Sequence, residues 1–239
     1  MTTRSFLKHA ASFVALFLLG SLVQAAPNLF PEPGFETSGT TETAHSGKRA
    51  GTMTITGGKG WKAMEFPPAI TVEPFATYRT EGWVKGTADG GSVVALYSYG
   101  WNSYGWWFMR QAPIKSATKW QKVSTTFIMP VNRVTFHPLV SNGCRNAKAY
   151  IDDVSITRIA SPAETIARLR AKSSPNTEER LLLARWFLGQ NNLTAAEKLM
   201  DGADNTVRAD VSCLLAQGAT DDAEKLRRMA DMIRYDCMR

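Results

Sequence analysis

Cysteine and histidine are both scarce in this 239-residue chain, with three of each. Cys144, Cys213 and Cys237 cannot build a disulfide framework, and an oxidising compartment permits one bridge with one thiol left over. On a helical hairpin turning near residue 219, Cys213 and Cys237 would be offset by about 18 Å along the helix axis. A disulfide tolerates about 7 Å between Cα atoms, so that pair is disfavoured and Cys144–Cys237 stays open. The histidines are His9, His45 and His137, so zinc or Ser-His-Asp chemistry would rest on the last two, with no motif to support it. Phosphate loops and dinucleotide fingerprints are absent. Acids are few in the first two thirds, nine between residues 27 and 160. Glycoside hydrolysis needs two carboxylates at a set separation, one with a raised pKa. Asp152-Asp153 has a sufficient structural role, and no spacing favours pairing Glu65 with Glu81.

Long apolar runs are missing too, with one exception. Ala10 to Val23 is apolar for about fourteen residues, marginal for a bilayer span that needs about twenty. Arg4 and Lys8 precede it, and Val23-Gln24-Ala25 follows with small side chains where a signal peptidase reads. Residues 1–25 are therefore expected to be a cleaved signal peptide, with no transmembrane segment afterwards, and the protein to be periplasmic or secreted. Its removal lowers the formal charge from +7 to +5. The remaining cations are scattered rather than clustered, which argues against a nucleic-acid partner and leaves a solvated surface or an acidic polysaccharide.

Two periodicities divide the rest. Residues 27–159 hold short β-rich runs near 50–56, 61–66, 77–85, 93–99, 106–110, 120–128, 133–140 and 149–158, broken by Gly, Pro, Asn and Ser clusters. That spacing predicts a β-sandwich. Ser161-Pro162-Ala163-Glu164 then reads as a capping box with proline at the first helical position. Helical runs follow near 162–172, 177–189, 194–201, 205–217 and 220–235, so 161–239 is expected to be an all-α helical-hairpin domain. It contains a repeat at an offset of about 27. Phe187-Leu188-Gly189-Gln190 returns as Leu214-Leu215-Ala216-Gln217, and Ala196-Glu197-Lys198-Leu199 as Ala223-Glu224-Lys225-Leu226. The texture resembles tetratricopeptide repeats, at a shorter period, and makes a protein partner for the tail a candidate.

What the chain has in abundance is aromatic surface. Tyr97, Tyr99, Trp101, Tyr104, Trp106 and Trp107 fall within a short stretch spaced by Gly, Ser and Asn. Rigid rings with polar edges suit a ligand such as a sugar, with one C–H face and a rim of hydroxyls. About half of these rings are expected to pack, because Trp107 or the Trp106/Phe108 pair must point inward. Trp61, Trp120 and Trp186 are assigned to core or edge packing.

Five segments, in order, resemble the carbohydrate-binding modules of the cellulose-binding families 4 and 9. They are Asn28-Leu29 with Pro33-Gly34-Phe35-Glu36, Ser46-Gly47-Lys48-Arg49-Ala50, Tyr78 to Lys85, Trp120-Gln121-Lys122-Val123 running to Phe127-Ile128-Met129-Pro130, and Tyr150 to Ile156. The resemblance covers nearly all of 27–159 and implies an all-β jelly-roll sandwich. It also implies a structural Ca²⁺ near the junction of first and last strands, with carboxylates from Glu36 and Asp152 and a carbonyl from Lys48. Hard oxygen ligands from separate segments suit that ion. Strand alternation puts Tyr150, Asp152, Val154 and Ile156 on one face, where an acid is costly unless paired or metal-bound. The alternative is that Asp152 salt-bridges Arg49 or caps local amides.

The same alternation outlines a ligand face. Tyr78, Thr80, Gly82 and Val84 form a core set, leaving Arg79, Glu81, Trp83 and Lys85 outside. If Val94, Leu96 and Ser98 point inward, Tyr97 and Tyr99 join Trp83. Val134 and Phe136 are expected inward, Thr135 and His137 outward. The candidate ligand set is therefore Arg79, Glu81, Trp83, Tyr97, Tyr99, Trp101 and His137. These readings favour an exported, non-catalytic protein that binds a polysaccharide or oligosaccharide. The alternatives are an adaptor using its jelly roll for protein contact, and a small glycan-active enzyme depending on Glu81 or a neighbour.

Overall fold

The computed structural model describes residues 26–57, 60–64, 70–89, 92–101, 107–113, 117–130 and 133–236. The expected signal peptide, Glu65, Tyr104, Trp106 and Cys237 lie outside them. No helix among the described residues is long and apolar enough to cross a membrane.

Among the described residues nine strands form two antiparallel sheets: β1 (Gly51–Ile55), β2 (Trp61–Ala63), β3 (Ile70–Thr71), β4 (Thr77–Asp89), β5 (Ser92–Trp101), β6 (Trp107–Pro113), β7 (Ala117–Ile128), β8 (Arg133–Asn142) and β9 (Asn146–Ala160). One sheet has the order β1-β9-β4-β7. The other runs β2-β8-β5-β6, with β3 also pairing β8. The reading above has a strand at each of these except β3, a two-residue strand that follows Pro67-Pro68. Apolar inner faces of both sheets make one core, including Val84, Phe127, Ile151 and Val154 from the first sheet and Leu96, Phe136 and Leu139 from the second. Phe30 and Phe35, from the segment before β1, join it, Phe30 packing edge-on against Phe136 with 5.4 Å between centroids. Asn28 fastens that segment: its amide donates to the Val154 carbonyl while its side-chain oxygen accepts the Ile156 N–H. A single side chain thus completes the hydrogen bonding of a strand edge.

In β4 the alternation holds as expected: Tyr78, Thr80, Gly82 and Val84 are buried and their neighbours face out. β9 departs from it. Ala147, Ala149 and Ile151 point inward, and so do Val154 and Ile156, while Asp152, across from the outward Trp83, is buried beneath the His45–Ser46 backbone. The parity changes because β9 bulges against β4: Glu81 pairs with Ser155 but Trp83 with Asp152, and Asp153 takes a positive φ of 50°. Tyr150 therefore does not share a face with Val154 and Ile156 and sits on the outer surface. β5 shows the same device. Leu96 has φ 53°, so Val93 and Ala95 point inward before it, and Leu96 and Ser98 from it onward.

The helices begin directly after β9. They are α1 (Pro162–Arg170), α2 (Thr177–Gly189), α3 (Leu193–Glu197) continued by a 3₁₀ turn over Lys198–Met200, α4 (Asn205–Gly218) and α5 (Asp222–Asp236). Ser161 caps α1: its hydroxyl accepts the Glu164 N–H while the Glu164 carboxylate takes the Ser161 N–H at 2.7 Å. Asn176 and Glu179 repeat the arrangement on α2. Ile166, Leu169, Leu182 and Leu183 pack with Phe75 and Ile128 at one end of the sandwich. Phe75 meets Trp186 edge-on at 5.3 Å, Arg110 pairs with Glu178, and Thr77 shares a buried 2.8 Å hydroxyl bond with Thr165. Among the described residues Cys144 and Cys213 are free thiols.

Candidate functional site

The outer face of the five-stranded sheet gathers aromatic side chains from three strands. β8 and β5 run antiparallel in a register that sets His137 across from Tyr97. β2 lies on the other side of β8, and its Trp61 leans over His137 edge-to-face at 5.5 Å and meets Tyr97 at 6.5 Å. The positive φ at Leu96 turns Tyr97 outward, so the bulge builds this cluster. Trp61 is 53% exposed while His137 beside it is 9% exposed, so the ring of Trp61 stands clear of a supporting floor. In the backbone register Tyr99 lies across from Thr135 and Met109, and Trp101 across from Trp107. The side chains of Tyr99 and Trp101 are outside the described ones. β2, β3, β5, β6 and β8 as described contain no Asp or Glu.

Arg79, Glu81 and Trp83 are elsewhere. They point out from β4, in the four-stranded sheet, and so occupy the opposite side of the sandwich from Tyr97 and His137. Strand alternation identifies outward positions correctly there but does not say which sheet a strand joins, and the expected single face divides in two. Trp83 is also covered. The imidazole of His45 stacks on it with centroids 4.0 Å apart and planes at 12°, and meets Trp120 at 5.7 Å. His45 Nδ1 lies 2.6 Å from Asp153 Oδ2, and the Ser46 hydroxyl donates to the other oxygen of Asp153. Around this stack, Lys85 Nζ stands 5.0 Å over the Trp120 ring, and Glu81 meets Lys122 at 3.3 Å. Glu42 accepts from Lys148 and Tyr150, which hold its carboxyl below the usual range, and the bonds from Lys148 to Glu42 and Tyr150 raise the Lys148 ammonium. A strap around residues 42–46 therefore fills this face with its own contacts. His45 and His137 stand on opposite sides, so they do not form one site.

Glu36, Lys48 and Asp152 do come together. Asp152 is fully buried, and its carboxylate accepts N–H groups from His45, Ser46 and Asp153 at 2.7, 3.0 and 2.8 Å. Glu36 Oε1 accepts the Lys48 N–H at 2.9 Å and that of Arg49 at 3.3 Å. The two acids converge beside Gly34, where a Cβ would stand 3.9 Å from an oxygen of each. Convergent carboxylates around a glycine hollow are hard oxygen donors of the kind that fit a hard cation. Three amide donors also satisfy Asp152 by themselves. Among the described residues no three His, Cys, Asp or Glu side chains are grouped to hold a metal. Arg49 turns away, its guanidinium donating to the Thr37 and Gly39 carbonyls.

Two contributors lie outside the expected set. Trp61, assigned to packing, is the most exposed ring on the five-stranded sheet among the described side chains. The Gly-Gly-Lys-Gly run before it and Lys62 after it are the polar surroundings that mark it in the sequence. His45 carries no local signal, because its partners Trp83 and Asp153 are distant in the chain.

No protein-family model matches the sequence, and no curated protein matches it. Solved structures similar to the chain include the family 16 carbohydrate-binding module 2, at 17% identity over 55% of this chain and 100% of that one, with a TM-score of 0.43. The CBM22-1 xylan-binding domain from Paenibacillus barcinonensis Xyn10C matches at 17% identity over 57% and 97%, with a TM-score of 0.42. TmCBM61, solved in complex with β-1,4-galactotriose, matches at 18% over 56% and 99%, with a TM-score of 0.37. At these identities and scores the likeness carries neither ligand nor function to this chain.

Proposed function

We propose that this is an exported, non-catalytic polysaccharide-binding protein of the jelly-roll kind, and that it holds its ligand on the outer face of the five-stranded sheet. The exposed Trp61 ring beside Tyr97 and His137 carries this reading. An exposed indole supplies the apolar platform for the C–H face of a sugar, and the phenol and imidazole supply hydrogen bonds to hydroxyls. Tyr99 and Trp101, two and four residues beyond Tyr97 on β5, would extend the platform along the strand. Binding rather than turnover is inferred from the aromatic surface itself, since glycoside hydrolysis would need two carboxylates at a set separation. Arg79, Glu81 and Trp83 belong to the other side and take no part. A glycan array and pull-down on insoluble polysaccharides test the proposal. Retention on a glycan, competed by its soluble oligosaccharide, is the expected result; a folded protein retained by no glycan would overturn it.

We propose in addition that Glu36, Asp152 and the Lys48 carbonyl hold a structural calcium ion at the Gly34 hollow, where its charge would offset two converging carboxylates. Added Ca²⁺ is then expected to raise the melting temperature and EGTA to lower it, with Asp152→Asn removing the difference. Identical melting curves in Ca²⁺ and EGTA would show that the amides alone stabilise the site.

A further inference from the structure

The last helix is mounted with its apolar side outward. Leu226, Met229 and Ile233 recur at helical spacing on α5 and are 67%, 41% and 55% exposed. The side turned toward the protein is polar: the Arg228 side chain is 7% exposed and bonds Glu224 and Glu197. Burying that guanidinium between two carboxylates fixes which side of α5 faces in, because a buried charge must keep its partners.

The internal repeat offers a comparison for this stripe. Ala196 and Leu199 in the first unit correspond to Ala223 and Leu226 in the second. Ala196 is fully buried and Leu199 packs into the helical clusters beside Val207, Val211 and Leu215 of α4. Ala223 and Leu226 are exposed. In a stack of helical units each one covers the face of its neighbour, and the second unit has no successor among the described residues. The other end of the stack is already covered by α1 and by Phe75 and Ile128 of the sandwich. A head-to-tail neighbour therefore finds no free head.

We infer that α5 is the interface of a twofold dimer, each stripe covering that of a second copy. A twofold axis makes the interface self-complementary and closed, and an axis perpendicular to α5 sets the two helices antiparallel. With the axis near Arg228, Leu226 meets the partner's Ala230 and Ile233 meets the partner's Ala223, small residues that admit large ones. The same register brings Asp222 beside the partner's Arg234. Neither of these residues makes an ion pair within the chain among the described residues, so both are available across the axis. One helix pair is a small interface, so the dimer forms in a concentration-dependent way.

The test is light scattering across a concentration series, on the full chain expressed with its own N-terminal segment and purified from the soluble fraction. Mass should rise toward two chains, and Leu226→Glu/Ile233→Glu should weaken association at least about tenfold with unchanged helical circular dichroism. A charge swap guards against a misfolded variant: Asp222→Arg should weaken the dimer and Asp222→Arg/Arg234→Asp should restore it. A mass of one chain up to about 0.5 mM overturns the inference. If that monomer sediments with anionic vesicles, the stripe meets lipid; if it does not, something other than a second copy covers it. Dimers that ignore all of these substitutions overturn it as well.

Discussion

Glu32 shows how one side chain can hold a turn and expose it to acid. Burial opposes its ionisation, but the Ser38 and Thr37 hydroxyls and both backbone N–H groups outweigh that and bring its pKa down to about 2. A carboxyl depressed in the folded state stabilises fully above its unfolded value, about 4.3 for glutamate. That contribution is lost as pH falls through about 2. Urea titrations between these values should show stability declining with acid, and Glu32→Gln should flatten the decline. An unchanged slope in the variant would place the acid sensitivity elsewhere. Single residues also mark the limit of reading a sequence. Asp152 stands out as an acid in an apolar run, so its special role was legible. Its amide donors were not, because His45 and Ser46 lie more than one hundred positions away.

Elements were legible wherever one periodicity ran unbroken. β4 alternates through Val84, and α1 begins at the capping box Ser161–Glu164. The pattern failed where a residue other than glycine adopts positive φ, at Leu96 and Asp153, because nothing in their local sequence requires a bulge. Each bulge changes the parity of its strand, and the one in β5 turns Tyr97 outward. The expected single face divides for a second reason. Hydrophobic alternation separates inside from outside but holds no information on sheet membership, so Trp83 and Tyr97 were grouped although they are on opposite sides. Gly86 tests the pairing of β4 with β9 directly. A Cβ there would stand 2.5 Å from the Lys148 carbonyl oxygen, which is backbone and cannot rotate away. Gly86→Ala should therefore destabilise the protein by about 1–3 kcal/mol, the usual cost of overpacking. A thermal melt that matches the wild type would mean that β9 yields at this point.

At the scale of the whole molecule, sandwich and helices share a boundary that neither part completes alone. Phe75 and Ile128 lose their cover if the chain stops at residue 160, and Arg110 loses Glu178. Such a truncation should melt below the full chain and bind a hydrophobic dye more strongly; equal melting would make the helices an independent appendage. The tail thus caps one end of the sandwich and directs the α5 stripe outward, while the exposed Trp61 ring on the five-stranded sheet is the proposed ligand platform. The most direct test of that division compares two tryptophans on opposite sides. On any polysaccharide that retains the protein, affinity electrophoresis of Trp61→Ala should show a loss of at least about tenfold, or 1.4 kcal/mol, while Trp83→Ala binds as the wild type does. Loss of binding in Trp83→Ala with Trp61→Ala unaffected would place the ligand on the four-stranded sheet and contradict the account.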